Sequence, residues 1–289
     1  MALFCIFTPT YNRAYTLERL YNSLLAQTYK DFTWLIVDDG STDNTASVVE
    51  SFISQNRLSI RYIKTENQGK SRALNLGIEN CTDELFFCVD SDDWLTPDAL
   101  EVLQARWALV KKDSTICGML ALRGIDEDTP IGSRIPNGML RSNVWNLYFN
   151  YGFKGDAAHV YRSDIFRQYP AEVAESEKFI SEGWTVYQIA EHYDVSLIDQ
   201  ILYIGGYLPD GYSANVRNLT KSNPIGYYRF KLLCLRMPCS LVLKQINTIL
   251  YMVGHNLAHG TFGVNHAPYK LLAILGVIPA WILLKTIYR

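Results

Sequence analysis

The chain has 289 residues, 48% apolar and 19% charged, enough apolar side chain for one large or two smaller packed domains; disorder and fibrous structure are excluded. Its 27 basic and 29 acidic residues leave a net charge of −2, which argues against a dedicated nucleic-acid binder. The charge is unevenly divided, however: residues 1–210 carry −11, whereas the last 79 hold nine Lys or Arg, no carboxylate and a charge of +9.

The chain opens on the strand-like ALFCIF, with no basic segment followed by a long apolar core, so no secretory signal is expected. Apolar runs at 3–7, 32–37, 59–63 and 84–89 predict four strands. Between them lie helical stripes. Leu17, Leu20, Tyr21, Leu24 and Leu25 share one face, with Thr16 as the expected N-cap. Val48, Val49, Phe52 and Ile53 follow the cap-like Ser41-Thr42-Asp43, and Ala73, Leu74, Gly77 and Ile78 make a third stripe. Strands apolar on both faces, alternating with single helices, predict a doubly wound α/β unit with a mainly parallel sheet covered on both sides. Thr96-Pro97 then starts a helix over 98–110. Beyond it come a strand over 116–123, a turn-rich stretch, a helix over 143–150, a strand over 157–161, a helix from Trp184 and one or two strands over 195–204. After Tyr212 the pattern is helical and basic-amphipathic. The organisation read from this is 1–112, 113–212 and 213–289. Six cysteines without a CxxC pair, mostly inside apolar runs, favour a reduced cytosolic setting.

In open α/β sheets ligands bind outside the carboxyl ends of the strands. Those ends read Thr8-Pro9-Thr10-Tyr11-Asn12-Arg13, Asp38-Asp39-Gly40-Ser41, Glu66-Asn67-Gln68-Gly69-Lys70 and Asp90-Ser91-Asp92-Asp93. Asp90 and Asp92, two apart at a strand end, point the same way if the chain stays extended. Adjacent buried carboxylates repel unless a cation lies between them, and oxygen ligands fit Mg²⁺ or Mn²⁺ better than zinc. The stretch Asn67-Gln68-Gly69-Lys70-Ser71-Arg72 opens a helix and offers N–H groups, the helix dipole and two cations to a phosphate. It is not a P-loop, because Lys64 stands where that motif needs glycine, and no GxGxxG follows the first strand. His255, His259 and His266 lack the HExxH pattern, Asn256 standing where Glu would be, and read as helix-face histidines.

TPTYNR, VDDGSTDNT, NQGKSRALNLGI and VDSDDWLTPDAL, in this order and spacing, resemble glycosyltransferase family 2, the inverting nucleotide-sugar enzymes of GT-A fold. The resemblance is strong over 1–112 and weak afterwards. It implies that Pro9, Tyr11 and Asp38 or Asp39 line the base and ribose pocket and that Arg72 approaches the diphosphate. Asp90-Ser91-Asp92 takes the DXD position, with Asp90 towards ribose and sugar, Asp92 as metal ligand and Asp93 orienting the donor sugar. An inverting transfer also needs a base for the acceptor hydroxyl. Family members carry a Glu-Asp pair before a helix in the second half; here the stretch is FISEGW, so Gly183 replaces Asp and Glu182 is the base expected. Its alternative is a carboxylate complementing the helix dipole, with Asp156 and Asp210 as fallback bases.

The basic tail has two readings. Cations interspersed with Tyr227, Tyr228, Phe230 and leucines, and the apolar run 271–284 between Lys270 and Lys285, suit an anionic membrane interface. The run is about 21 Å long as a helix, short of the roughly 30 Å hydrocarbon core. The other reading is a cationic cap on the acidic half. Together these imply transfer of a sugar from a nucleoside diphosphate donor, UDP-linked, to a glycan or lipid-linked saccharide in surface polysaccharide synthesis, peripheral at the inner face of the cell membrane. The alternatives are transfer to a polyisoprenyl phosphate, or a weakly catalytic nucleotide-sugar-binding membrane partner.

Overall fold

The computed structural model describes residues 1–206 and 215–288. They group into two compact units: Met1–Pro170 with His192–Gly206, and Ala171–Glu191 with the described residues from 215 on. The boundary expected at 212 and the fallback carboxylate Asp210 lie outside the described residues.

The first unit is built on nine strands: β1 (Phe4–Thr10), β2 (Phe32–Asp38), β3 (Ile60–Lys64), β4 (Leu85–Cys88), β5 (Trp94–Leu95), β6 (Ile116–Gly124), β7 (Arg141–Ser142), β8 (Ala157–Arg162) and β9 (Asp194–Ile204). They form one sheet in the order β3-β2-β1-β4-β8-β6-β9-β5, with β7 paired to β9. Helices α1 (Ala14–Ala26), α2 (Thr45–Ser54), α3 (Lys70–Asn80), α4 (Ala99–Val110), α5 (Val144–Phe149) and α6 (Ser163–Phe166) flank it. The first four strands are parallel, as their two-faced apolarity predicts, and β8 enters antiparallel between β4 and β6. The sheet is therefore mixed, and residue 112 separates two parts of one sheet. The segment 195–204 is one strand, in which the exposed Asp199 and Gln200 accompany a shift of register against β6.

Two local expectations are corrected. Strand β1 runs on to Thr10, because the buried Thr8 hydroxyl accepts a hydrogen bond from Trp34 Nε1 at 2.9 Å and can stay inside the sheet. Helix α1 begins at Ala14, so Thr16 lies within its first turn, donating to the Arg13 carbonyl rather than capping the helix.

The second unit is helical: α7 (Gly183–Ala190), α8 (Val216–Ser222), α9 (Pro224–Arg236), α10 (Leu241–His259) and α11 (Lys270–Thr286). Its joint is Glu177. That buried carboxylate accepts the N–H groups of Ile225 and Gly226 at 2.6 and 2.7 Å, placing negative charge at the start of α9 where N–H groups lack helical partners. Asn223 Oδ1 accepts the N–H groups of Lys178 and Phe179 in return, both at 2.9 Å. The Ser240 hydroxyl caps α10, which ends on Gly260 in the left-handed conformation. Among the described residues no helix is long and apolar enough to cross a membrane.

The core of the first unit centres on Trp34, fully buried and stacked near Tyr21 and Phe52 with centroids at 6.2 and 6.1 Å. Trp34→Ala removes this packing and the partner of Thr8. Denaturant unfolding should register a loss of about 3–5 kcal/mol.

Candidate active site

Parallel register lays the polar strand ends along one edge of the sheet: Thr10 is opposite Asp38, and Asp38 opposite Lys64. The segments that follow are bonded to one another. Asn12, at φ 51°, accepts the N–H of Thr42 at 2.8 Å and donates its own N–H to the Ser41 hydroxyl at 2.8 Å. Asp38, fully buried, accepts the Ser41 N–H at 2.7 Å and the Tyr62 hydroxyl at 2.6 Å. Burial, and then that contact with Asp38, raise the Tyr62 pKa. Asp39 accepts the N–H groups of Gln68 and Gly69 at 2.7 and 2.8 Å. Gly40 is needed here, at φ 80°, because a Cβ would come within 2.7 Å of the Asn67 nitrogen.

Two of the N–H groups expected to meet a phosphate, those of Gln68 and Gly69, are thus bonded by Asp39. Of the two cations there, Lys70 pairs with Asp90 and Arg72 donates to the Gln68 carbonyl at 3.0 Å. Pro9 is buried in β1, whereas Tyr11 is 46% exposed on the rim.

The acidic run after β4 is a turn and not the extended chain expected, since Asp93 N–H donates to the Asp90 carbonyl at 3.1 Å. The turn gathers three carboxylates where extension would have paired two: oxygens of Asp90, Asp92 and Asp93 lie within 4.8 Å of one another. It is pinned at both ends. Val89 N–H reaches the Phe7 carbonyl on one side, and β5 pairs with β9 on the other. The Tyr203 hydroxyl accepts the Asp90 N–H at 3.0 Å and donates to Asp93 Oδ2 at 2.7 Å. Arg123 adds an ion pair to the same oxygen at 2.8 Å and lies 3.4 Å from Asp156. Arg19 donates to the Asp92 carbonyl while its guanidinium covers the Trp94 ring at 4.0 Å. Ser91 is buried at the crest of the turn.

Each carboxylate has a different environment. Burial opposes ionisation of Asp90, but Lys70 at 2.7 Å, with help from Arg123, holds its pKa below the ordinary value. Burial and the neighbouring Asp90 raise that of Asp92, which makes no ion pair among the described residues. Burial pushes Asp93 up to about 7 against the pull of Arg123. Its Oδ1 is buried without a hydrogen-bond partner and faces Gly205. Three clustered carboxylates, an unpartnered buried oxygen and an all-oxygen donor set fit a divalent cation such as Mg²⁺ or Mn²⁺. Among the described residues this is the one such group. His255, His259 and His266 come together as rings, with centroids 4.8 and 6.0 Å from His255, and His255 Nδ1 lies 2.8 Å from the Thr261 carbonyl.

Glu182 belongs to the second unit. It is exposed at the N-cap position of α7, where its side chain makes no capping hydrogen bond. The glycine beside it has a packing reason: a Cβ at Gly183 would meet the Phe230 ring at 2.9 Å and the Tyr187 ring at 3.3 Å, where α7 lies against α9.

Residues 5–169 match the family described as Glycosyl transferase family 2, more than half of the chain. The chain belongs to that family. It is similar to the glycosyltransferase GlyA of Streptococcus pneumoniae serotype 4, 37% identical over 98 residues, covering 34% of this chain and 14% of the relative. It is similar to the chondroitin synthase of Escherichia coli, 34% identical over 147 residues, covering 50% and 20%. The chain thus spans a fifth or less of the length of these two curated relatives. Among solved structures it resembles TarS 1–349 of S. aureus in complex with UDP-GlcNAc, with TM-score 0.63, 17% identity and 96% and 80% of the two chains covered. It also resembles the mannosyltransferase PcManGT of Pyrobaculum calidifontis in complex with GDP-Man and Mn²⁺, at 0.58, 17%, 100% and 82%. At these identities the likeness is one of fold, and the fold is GT-A.

In this family 2 chain, Arg123, Tyr203, Arg19 and Gly205 support the acidic turn, and sequence reading missed them. Arg123 alone left a signal, as the one charge in the buried run of β6. Two outcomes are expected. A Cβ at Gly205 would lie 1.6 Å from Asp93 Oδ1, so Gly205→Ala should cost about 1–3 kcal/mol in denaturant unfolding. Asp93, with its folded pKa at about 7 against 3.8, holds a proton that the unfolded chain releases. Its stabilisation is complete below about pH 4 and is lost as pH rises through about 7. Melting temperatures in chelator should show that decline in the wild type and a flatter profile in Asp93→Asn.

Proposed function

We propose that the chain transfers a sugar, with inversion, from a nucleoside diphosphate sugar to a glycan or lipid-linked saccharide in surface polysaccharide synthesis. The observation that carries this is the gathering of Asp90, Asp92 and Asp93, beside Lys70, at the carboxyl ends of parallel strands in a family 2 chain. Neighbours of the same fold in complex with UDP-GlcNAc and with GDP-Man and Mn²⁺ support a nucleotide-sugar donor, and UDP is the nucleotide we favour.

Tyr11, exposed on the rim, stacks on the base, with Pro9 and Asp38 or Asp39 shaping the pocket beneath it. Arg72 approaches the diphosphate. Asp90 orients the ribose and sugar, and Asp93 the sugar. Asp92, with no competing ion pair, is the principal ligand of Mg²⁺ or Mn²⁺. When bound, that ion supplies positive charge against the departing diphosphate. Glu182 accepts the proton of the acceptor hydroxyl as its oxygen bonds to the anomeric carbon, and the bond from that carbon to the diphosphate breaks on the opposite face. A lipid-linked acceptor fits a chain held peripherally at the inner face of the cell membrane. Polyisoprenyl phosphate is the second acceptor class.

The test is release of nucleoside diphosphate from a panel of nucleotide sugars, with membrane glycolipid extract as acceptor and Mg²⁺ or Mn²⁺ present. Asp92→Ala and Glu182→Gln should each lower turnover by about 10²-fold or more. Full transfer by Glu182→Gln would remove it as base. A wild type that binds donors but consumes none would leave the nucleotide-sugar-binding partner as the reading.

A further inference from the structure

Helix α11 is packed inside out. Its small residues Ala273, Gly276 and Ala280 are buried, with Gly276 close against Ile249 and Met252 of α10. Its large apolar residues face away: Leu271, Ile274, Leu275, Ile278, Trp281 and Ile282 are 46–70% exposed. At 100° per residue these six lie within one arc of about 120°, opposite the small residues. A helix that covers a protein core has the reverse distribution. The first turns of α10 extend the apolar surface with Leu241, Val242 and Ile246, next to the stripe where Gln245 Nε2 donates to the Leu272 carbonyl at 3.2 Å.

The charges around this face identify what covers it. Lys270 and Lys285 close the stripe at its two ends with no charge between them, and no carboxylate occurs in the sequence after Asp210. A second copy docked face to face would set lysine ends and two strongly basic regions against each other. An anionic lipid surface takes both features at once, apolar side chains among the acyl chains and lysines among the headgroups. The 17 residues of α11 span about 25 Å, short of the roughly 30 Å hydrocarbon layer, so the helix lies in the interface plane. We infer that the outer face of α11, continued by Leu241, Val242 and Ile246, is an insertion surface for anionic bilayers. The inference rests on the peripheral membrane part of the proposed function and is independent of its transfer chemistry.

The experiment floats the full chain with vesicles of phosphatidylcholine, alone or with roughly one third phosphatidylglycerol. The wild type should bind the mixed vesicles, and Ile274→Ser/Ile278→Ser should bind about tenfold less at unchanged melting temperature. Lys270→Glu/Lys285→Glu should weaken binding to mixed vesicles and leave the weak binding to neutral ones as it was. If the serine variant fails to fold, brominated lipid provides the second readout: it should quench wild-type fluorescence beyond that of Trp281→Phe. Equal flotation of wild type and serine variant, equal binding to both vesicle types, or equal quenching with Trp281→Phe would overturn the inference. So would a lipid-free dimer that the serine substitutions dissociate. Donor consumption is measured on the same preparations. Binding without consumption sinks the transfer reading alone, and consumption without binding sinks this one alone.

Discussion

Carboxylates crowded within 4.8 Å repel one another, and much of the first unit serves to hold three of them there. Parallel pairing delivers β4 to the edge where β1 and β2 also end, and the chain turns at once after Val89. The two-residue strand β5 then catches it against β9. Tyr203 on that strand binds both ends of the turn through one hydroxyl, while Lys70 and Arg123 supply charge to Asp90 and Asp93. Asp92 is left with the fewest internal commitments. A site assembled this way is preorganised by its scaffold and depends little on the loop's own rigidity.

The same economy appears in the loops around it. Asp38, Asp39 and Asn12 tie neighbouring segments together through backbone N–H groups. Two carboxylates expected to face a nucleotide therefore also define the shape of the wall that would receive it. A substitution there would change that shape along with any direct contact, so loss of binding alone would not distinguish the two effects.

The second unit solves a different problem. Glu177 satisfies the first N–H groups of α9, and close helix approaches at Gly183, Gly254 and Gly276 pack the helices through small residues. That arrangement leaves large apolar side chains of α11 outside. With nine basic residues after Asp210 and no acidic ones, the end of the chain is the chemical opposite of the carboxylate turn.

Period and motif spacing are local properties, and the sequence determined what depends on them: the alternation of strands and helices to residue 110, the acidic run that follows β4, and the helical, basic character of the last 74 described residues. Its errors were local too, at Thr8, where a distant indole rescued a buried hydroxyl, at Thr16, which lies inside α1 and does not cap it, and at 90–93, where a turn replaced extension. Tertiary structure alone decided that Arg123 and Tyr203, 30 and 110 residues from Asp93, would stand beside it, because strand pairing sets such neighbours and no spacing encodes them. It alone decided which face of α11 is covered. Hydropathy along 271–284 is nearly uniform, and only the fit of Ala273, Gly276 and Ala280 against α10 breaks that symmetry.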